Sequence, residues 1–424
     1  MKRYLFLILP VIIVLLDYCT TTTKITNKNL SSLYKTVQNT LNPKYVVYHE
    51  SDSISKVYFK IETRDLLYTK KESDEKFLAK VKLKWKLFES YESKKIVDSS
   101  FTILTDRGEP GTDKNIIGHF EFKAETPNKY VLQVMATDIY RRSSKKVFVE
   151  VDKTNPHNRQ NFMLRDDLSG LPLFDKHIPL GKTIRIKCNN PLIQTLYGRH
   201  YNRNFPLAVP PFAIYNPKSF EYDADSLFML SINGKGVFRT EIAGKGIYHL
   251  QTDTTNKLGL TLFHLNENFP TVKLVEELIL PLRYITTRKE FDELLKTENQ
   301  KKQLDYFWLN VSSNPDRARE LIKQYYARVQ DANRFLTSYT EGWRTDRGMV
   351  YIVFGHPNVI YKSSNSESWV YGEENNFMSV NFNFTKVSNP FSDNDYILAR
   401  SPIYKSNYYK AVDSWREGRI FVSN

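Results

Sequence analysis

A short segment near the C-terminus gathers the residue types that a binding site needs. It reads Gly342-Trp343-Arg344-Thr345-Asp346-Arg347-Gly348, and we call it the Trp343 segment. Its charged groups, with the later Glu367, Glu373 and Glu374, suit a polar cleft. Tryptophan rings beside such a cleft suit stacking on a sugar ring or a peptide side chain. The candidate binding residues are Trp343, Arg344, Thr345, Asp346, Arg347, His356 and Trp369.

The same residues also suit a purely structural role, and the sequence leaves both interpretations open. Trp343 can fill a core, Asp346 can accept hydrogen bonds from loop amides and pair with an arginine, and the two glycines can permit a turn. The run 349–354 is apolar on both faces, which predicts a buried strand after the segment.

The common catalytic patterns are missing from the rest of the sequence. There is no nucleophile elbow and no phosphate-binding glycine loop, and the eight histidines show no paired spacing for a metal ion. We therefore predict no catalytic residue, no metal site and no cofactor.

Periodicity divides the chain into three folded regions, two rich in strands and one mixed. Alternating apolar and polar residues predict a β-sandwich of immunoglobulin or fibronectin type over 43–153, with Trp85 in its core, and a second sandwich over 154–285. In the second, Asn233-Gly234 predicts a hairpin, and the leucines at 278, 280 and 282 have the period of a strand. From 286 to 424 the period becomes helical: capping patterns at Thr287 and Asn314 each begin one predicted helix, and strands follow. The predicted fold class is therefore mixed: two tandem β-sandwiches and a C-terminal α+β domain.

The N-terminus predicts export and a lipid anchor. Two basic residues precede the apolar run 4–16, which has the length of a signal peptide, so 1–19 is predicted to be a lipoprotein signal ending at Cys19. An unmodified cysteine in an uncleaved anchor is the alternative. The polar stretch 20–42 predicts a flexible tether. The second cysteine, Cys188, alternates with charged residues and is predicted to face a core.

Positive charge is concentrated before the last domain. Residues from 286 onward carry 19 Lys and Arg against 17 Asp and Glu, so most of the formal net charge of +14 lies earlier. The densest positive charge lies on one predicted strand, where lysines alternate with apolar residues. These lysines are Lys80, Lys82, Lys84 and Lys86. This pattern suits a solvated sheet face or a lysine-protected edge, or else a contact with anionic lipid, lipopolysaccharide or an acidic partner. Nucleic acid is disfavoured because an exported protein rarely meets it.

The string Gly-Trp-x-Thr-Asp, followed by Arg-Gly and a Gly-x-Pro at 355–357, resembles the GWxTD domain, a family found mainly in envelope lipoproteins of Bacteroidota. Similar elements occur at 307–308, 325–329, 368–371 and 415–419. The resemblance covers the last domain and, more loosely, the β-rich part before it. It implies a location and a fold more than an activity.

Together these features predict a lipid-anchored envelope protein that is not an enzyme and acts as a binding or scaffolding component of an outer-membrane assembly or secretion machine. The stretch 20–24 lacks the acidic cluster that resembles a surface-export signal, which favours the periplasmic face of the outer membrane. The alternative is an enzyme or carbohydrate-binding protein that acts on cell-wall or surface glycans through residues 343–356.

Overall fold

The computed structural model describes residues 23–35, 41–70, 75–108, 113–216, 220–234 and 236–422. Cys19, the predicted signal and the first part of the predicted tether lie outside these residues. The described part contains five antiparallel sheets, with most of its helices toward the C-terminus, which confirms the predicted mixed fold class. None of the described helices is both long and apolar enough to cross a bilayer.

Seven strands in the first β-rich region form two facing sheets. The strands are β1 (Lys44–His49), β2 (Ile54–Glu62), β3 (Phe77–Phe88), β4 (Ile96–Gly108), β5 (Asn115–Lys123), β6 (Lys129–Asp138) and β7 (Ser143–Asp152). The sheet orders are β1-β2-β5 and β4-β3-β6-β7. Trp85 on β3 stacks on Phe120 on β5, with ring centroids 4.2 Å apart, so this pair joins the two sheets through the core.

The four alternating lysines lie on β3, which is an inner strand paired with both β4 and β6. A lysine-protected edge is therefore wrong, because the edges of this sheet are β4 and β7. The alternation itself is confirmed: Val81, Leu83 and Trp85 are buried, and the lysines point to the other face.

A second pair of sheets follows. Its strands are β8 (Phe162–Asp166), β9 (Thr183–Cys188), β10 (Thr195–Tyr201), β11 (Ser226–Ser231), β12 (Phe238–Glu241), β13 (Gly246–Gln251) and β14 (Leu260–His264). The orders are β12-β9-β8 and β11-β10-β13-β14. The predicted hairpin at Asn233-Gly234 is wrong, because β11 and β12 belong to different sheets and the turn links them. Cys188 is buried in the core between the sheets, as predicted, and burial raises the pKa of its thiol.

The C-terminal region combines helices with one four-stranded sheet. The helices are α1 (Val275–Ile279), α2 (Arg288–Lys296), α3 (Gln300–Ser312), α4 (Pro315–Leu336), α5 (Asp346–Phe354) and α6 (Tyr404–Arg416). The sheet has the order β15 (Val359–Lys362), β16 (Ser366–Tyr371), β17 (Val380–Lys386) and β18 (Tyr396–Leu398). The predicted caps are confirmed, since Thr287 begins α2 and Asn314 begins α4 with side-chain hydrogen bonds to backbone amides.

Three predictions about this region are wrong. The run 349–354 is not a strand: it belongs to α5, whose nine residues are all buried. A segment covered on every side has no apolar period, so helix and strand look alike in the sequence. The leucines at 278, 280 and 282 belong to α1 and a 3₁₀ turn instead of a strand. The predicted single helix after Thr287 is two helices, because Asn299 caps α3.

The predicted tether is also wrong in its described part. Residues 23–35, the N-terminal segment, lie against the folded body, and Ile25, Leu30 and Tyr34 are buried in the same core as α3 and α4. The Leu30 amide donates a hydrogen bond to the carbonyl oxygen of Ile360 on β15, at 2.8 Å. The N-terminal segment is therefore held by three spaced apolar side chains in an otherwise polar stretch.

Candidate functional site

The Trp343 segment folds as a 3₁₀ turn that leads directly into α5. Its two glycines are required by close packing. A Cβ atom on Gly342 would lie 1.8 Å from the carbonyl oxygen of Ala332 on α4, and one on Gly348 would lie 1.8 Å from the carbonyl oxygen of Gly342. Neither glycine has a positive φ, so chain freedom is not what they supply.

Thr345 and Asp346 fix the start of α5. The Thr345 hydroxyl accepts a hydrogen bond from the Gly348 amide at 3.0 Å, as an N-cap does. The Asp346 carboxylate accepts a hydrogen bond from the Leu398 amide on β18 at 2.9 Å and pairs with Arg400. Burial raises the pKa of Asp346, and Arg400 opposes that effect. The predicted arginine partner of Asp346 is confirmed. The amide that Asp346 binds is not in the loop, however, because it lies on a strand about fifty residues later.

The two tryptophans are core residues, so the predicted stacking floor is wrong. Trp343 is 4% exposed and Trp369 is fully buried. Trp343 packs edge-on against Tyr284, whose hydroxyl donates to the Trp343 carbonyl oxygen at 2.9 Å. The Trp369 indole donates to the Glu367 carboxylate at 3.1 Å. Neither ring is available to a ligand from outside.

Arg347 belongs to a buried charge cluster around Glu367. The Glu367 carboxylate lies 3.1 Å from the Arg347 guanidinium and 3.1 Å from the Lys362 ammonium. It also accepts a hydrogen bond of 2.6 Å from the hydroxyl of Tyr34 in the N-terminal segment. Burial favours the neutral acid, but the two cations and the hydrogen bonds outweigh it and lower the pKa of Glu367 to about 2. The cluster therefore holds two cations and one carboxylate.

The predicted convergence of the outlying residues does not occur. His356 is half-buried, and its Nε2 atom lies 2.9 Å from the Ser31 carbonyl oxygen in the N-terminal segment. Glu373 and Glu374 are exposed. The Glu374 carboxylate accepts a hydrogen bond from the hydroxyl of Tyr361. These residues do not share a cleft with Asp346 or Arg347.

Three predicted binding residues do share a cavity. Arg344, Thr345 and Asp346 lie on the wall of a cavity of about 400 Å³ between the Trp343 segment, the loop 387–395 with the start of β18, and loops of the second sandwich. Aromatic rings form much of the remaining wall and belong to Phe220, Tyr222, Tyr339, Phe391 and Tyr396.

Charged groups sit among these aromatic rings. The Lys257 ammonium lies 4.9 Å from the centroid of the Tyr222 ring, and burial raises the pKa of Asp395. The Arg344 guanidinium pairs with Glu341 at 2.8 Å and donates to the Phe205 carbonyl oxygen at 3.2 Å. A cavity with this wall suits a neutral or weakly charged polar molecule with an apolar face.

Sequence reasoning missed several residues that build this region. Tyr34, Lys362 and Arg400 bind the charges of the Trp343 segment and of Glu367, and Lys257 and Asp395 line the cavity. Tyr34 and Arg400 lie far along the chain from their partners, so no local pattern marks them. Lys362 lies only five residues before Glu367 and opposite it in the β15–β16 pair, so the turn between these two strands was the signal that could have found it. Among the described residues, no group of three or more His, Cys, Asp or Glu side chains is placed to hold a metal ion.

The family model described as the GWxTD domain matches residues 246–417. The match begins at β13 of the second sandwich and ends just after α6, so it includes the Trp343 segment and the whole C-terminal sheet. No curated protein matches the chain.

Proposed function

This chain is a GWxTD domain-containing protein, and from that premise we propose that it is a binding or scaffolding component of a cell envelope and not an enzyme. In this proposal the protein is anchored by lipid on Cys19, faces the periplasm from the outer membrane and belongs to an assembly or secretion machine. Two features of the structure support the proposal: the internal bonds of the Trp343 segment and, above all, the bonds that join the folded regions.

Those charged residues are occupied by internal bonds. Arg347 pairs with Glu367, and Asp346 pairs with Arg400 and a strand amide. A catalytic acid, base or nucleophile must instead present a free functional group to a substrate. The segment therefore supports a role in holding the domain together.

Direct bonds also join the three folded regions. Lys44 of the first sandwich pairs with Asp175 of the second at 2.7 Å. The Ala208 amide of the second donates to the Arg344 carbonyl oxygen at 2.9 Å. The Ser364 amide of the C-terminal sheet donates to the Glu92 carboxylate of the first sandwich at 2.8 Å. Fixed relative positions of several surfaces are what a scaffold needs, and this observation carries the proposal.

The test is crosslinking in native membranes, followed by purification through a C-terminal tag and mass spectrometry of the partners and of the mature N-terminus. We expect stoichiometric membrane-associated partners and a lipid on Cys19. A Cys19→Ser variant is the control and should carry no lipid. Recovery of the protein alone, with an unmodified cysteine, would overturn both the anchor and the machine. Protease treatment of intact cells tests the side: cleavage without lysis would contradict a periplasmic face.

The cavity favours a second candidate, the binding of a glycan. An aromatic wall with a few polar groups is the usual composition of a sugar site, and Lys257 is an exposed side chain at its rim. Calorimetric titration with cell-wall oligosaccharides tests it. We expect Lys257→Ala to weaken binding, while Lys273→Ala, another exposed lysine outside the cavity, leaves it unchanged. Absence of heat with the wild-type protein would remove this candidate.

A further inference from the structure

The outer face of the sheet β4-β3-β6-β7 carries positive charge and exposed apolar side chains together. We propose that this face rests on a membrane surface rich in anionic headgroups, with lysines on the lipid phosphates and Phe101 and Ile103 among the headgroups. The inference rests on the proposed envelope function for its location in the cell. It adds the chemical class of the partner, which is anionic lipid. We call this surface the lysine face.

Strand register defines the lysine face. Residues directly opposite each other in an antiparallel pair lie on the same side of a sheet. Lys82 pairs with Ile103, and Lys84 pairs with Phe101 on β4 and with Met135 on β6. Met135 in turn pairs with Lys146 on β7. At one end of this side the C-terminal region covers Phe88, Val131, Phe148 and Glu150. The lysine face is the remainder and consists of Lys80, Lys82, Lys84, Lys86, Ser99, Phe101, Ile103, Thr105, Arg107, Gln133, Met135, Thr137, Ser144 and Lys146.

The composition of the lysine face matches an anionic interface. It holds six cationic side chains, and the one carboxylate that register places on the same side of the sheet, Glu150, lies at the covered end and pairs with Lys386 of β17. Within the described ranges, none of its five lysines forms an ion pair with an acidic residue, although many other lysines do. Unpaired cations on one face attract an anionic surface, and the attraction is strongest within a few ångströms of the headgroups.

Two apolar side chains project from the same face. Phe101 is 56% exposed and Ile103 is 51% exposed, on adjacent outward positions of the edge strand β4. The Lys82 ammonium lies 4.6 Å from the centroid of the Phe101 ring. Cations that surround exposed apolar groups are typical of surfaces that lie in the membrane interface, where apolar groups enter the headgroup layer and charges stay at the phosphates.

The N-terminal segment brings the chain to the edge of the same face. Ile25 is buried with Phe88 and Val131, whose register places them on the far end of that side of the sheet. Burial lowers the pKa of Lys28, and the nearby charges of Lys146 and Lys86 lower it further.

The covalent distance to the proposed anchor is short. Six peptide steps separate Cys19 from Ile25, and they span at most about 20 Å. A lipid on Cys19 would therefore hold the lysine face close to the bilayer in one orientation. The lipid anchor and the lysine face would then bind the same membrane. Insertion of the lipid would raise the effective concentration of the headgroups at the lysine face.

Vesicle binding tests the proposal in the purified chain from residue 20 onward, which lacks both Cys19 and the apolar run 4–16 of the predicted signal. The vesicles contain phosphatidylglycerol and phosphatidylethanolamine, with pure phosphatidylcholine vesicles as the uncharged comparison. The test variant is Lys82→Glu with Lys84→Glu. The matched control, Lys273→Glu with Lys405→Glu, changes the net charge equally at exposed lysines outside the face. If the reversal of charge impairs folding, a Lys82→Gln, Lys84→Gln variant replaces the test variant, because it removes the two charges without adding negative ones.

We expect salt-sensitive sedimentation with the anionic vesicles, a loss of about tenfold or more in the test variant, and no loss in the control. In a Phe101→Trp variant, brominated lipids should quench the added fluorescence, because the position enters the headgroup layer. Equal loss in the test and control variants, equal binding to phosphatidylcholine, or no quenching at position 101 would overturn the proposal. These readouts need neither the lipid on Cys19 nor a partner protein, so a failure here is distinguishable from a failure of the proposed envelope function.

Discussion

Replacing the buried carboxylate of Glu367 by an amide should destabilise the C-terminal region. The substitution Glu367→Gln keeps the size of the side chain but leaves Arg347 and Lys362 buried without a counter-charge. It also weakens the acceptor for the Tyr34 hydroxyl, which joins the N-terminal segment to β16. The N-terminal segment and the sheet should therefore loosen together.

Two arguments from the structure give the same magnitude. Removal of one partner from a buried ion pair costs about 3–5 kcal/mol in free energy of unfolding. Independently, the pKa of Glu367 is lowered from 4.5 to about 2, and such a difference corresponds to about 3 kcal/mol near neutral pH. Because the folded-state pKa is the lower one, this contribution is complete above the unfolded value and disappears as the pH falls toward the folded value.

The assay is chemical unfolding followed by tryptophan fluorescence. Four of the five tryptophans, all except Trp85, lie in the C-terminal region. Glu373→Gln is the control, since Glu373 is exposed on the turn after the same strand. We expect a loss of about 3 kcal/mol near pH 7 for Glu367→Gln, and a loss about 1 kcal/mol smaller near pH 3.5, where much of the unfolded wild-type carboxyl is already protonated.

The pH dependence decides whether the reasoning is right. A loss that is the same at both pH values would mean that the carboxylate charge is not what stabilises the cluster. A loss no larger than that of Glu373→Gln would mean that the cations find other partners or water. Either result would refute the account of the cluster.

Three further substitutions probe the local geometry by thermal or chemical unfolding. Gly348→Ala should cost more than about 3 kcal/mol, because its Cβ would lie 1.8 Å from a backbone oxygen, whereas Gly234→Ala, with open space around it, should change stability little. Thr345→Ala should cost about 1 kcal/mol through loss of the N-cap, and Thr345→Ser should recover most of it; equal losses would contradict the cap. Tyr34→Phe should cost about 1.5–3 kcal/mol and speed limited proteolysis after the N-terminal segment, and unchanged cleavage would contradict its docking role.

Local signals in the sequence were sufficient for much of the fold. Strand alternation placed Trp85 in the core of the first sandwich and the lysines on its other side. Cap residues placed the starts of α2 and α4, because a cap acts on amides only two or three residues away. Failures occurred where burial on all sides removes periodicity, as in α5, whose sequence reads equally well as a buried strand.

The candidate site was predictable in composition but not in arrangement. Some of its charged residues stand in the Trp343 segment, yet Arg347 pairs with a residue 20 positions away and Glu367 binds Tyr34 across 333 positions. Such partners are chosen by the tertiary fold, and a polar stretch such as 23–35 gives little sign of docking. The predicted location, anchor and activity remain predictions.

The geometry explains why a short string of residues can mark this domain without marking a reaction. Gly342 lets the turn approach α4, Thr345 caps α5, and Asp346 joins α5 to β18. Trp343 fills the core beneath them. These four positions are bound to the interior of the domain, and each is costly to change. The residue between them, Arg344, lines the cavity with Thr345 and Asp346 but holds no helix start or strand, and its guanidinium contacts the second sandwich. Any ligand preference within this frame is therefore best sought at position 344 and on the loops facing it, where substitution alters the cavity and removes only the pair with Glu341 and the bond to the Phe205 carbonyl oxygen.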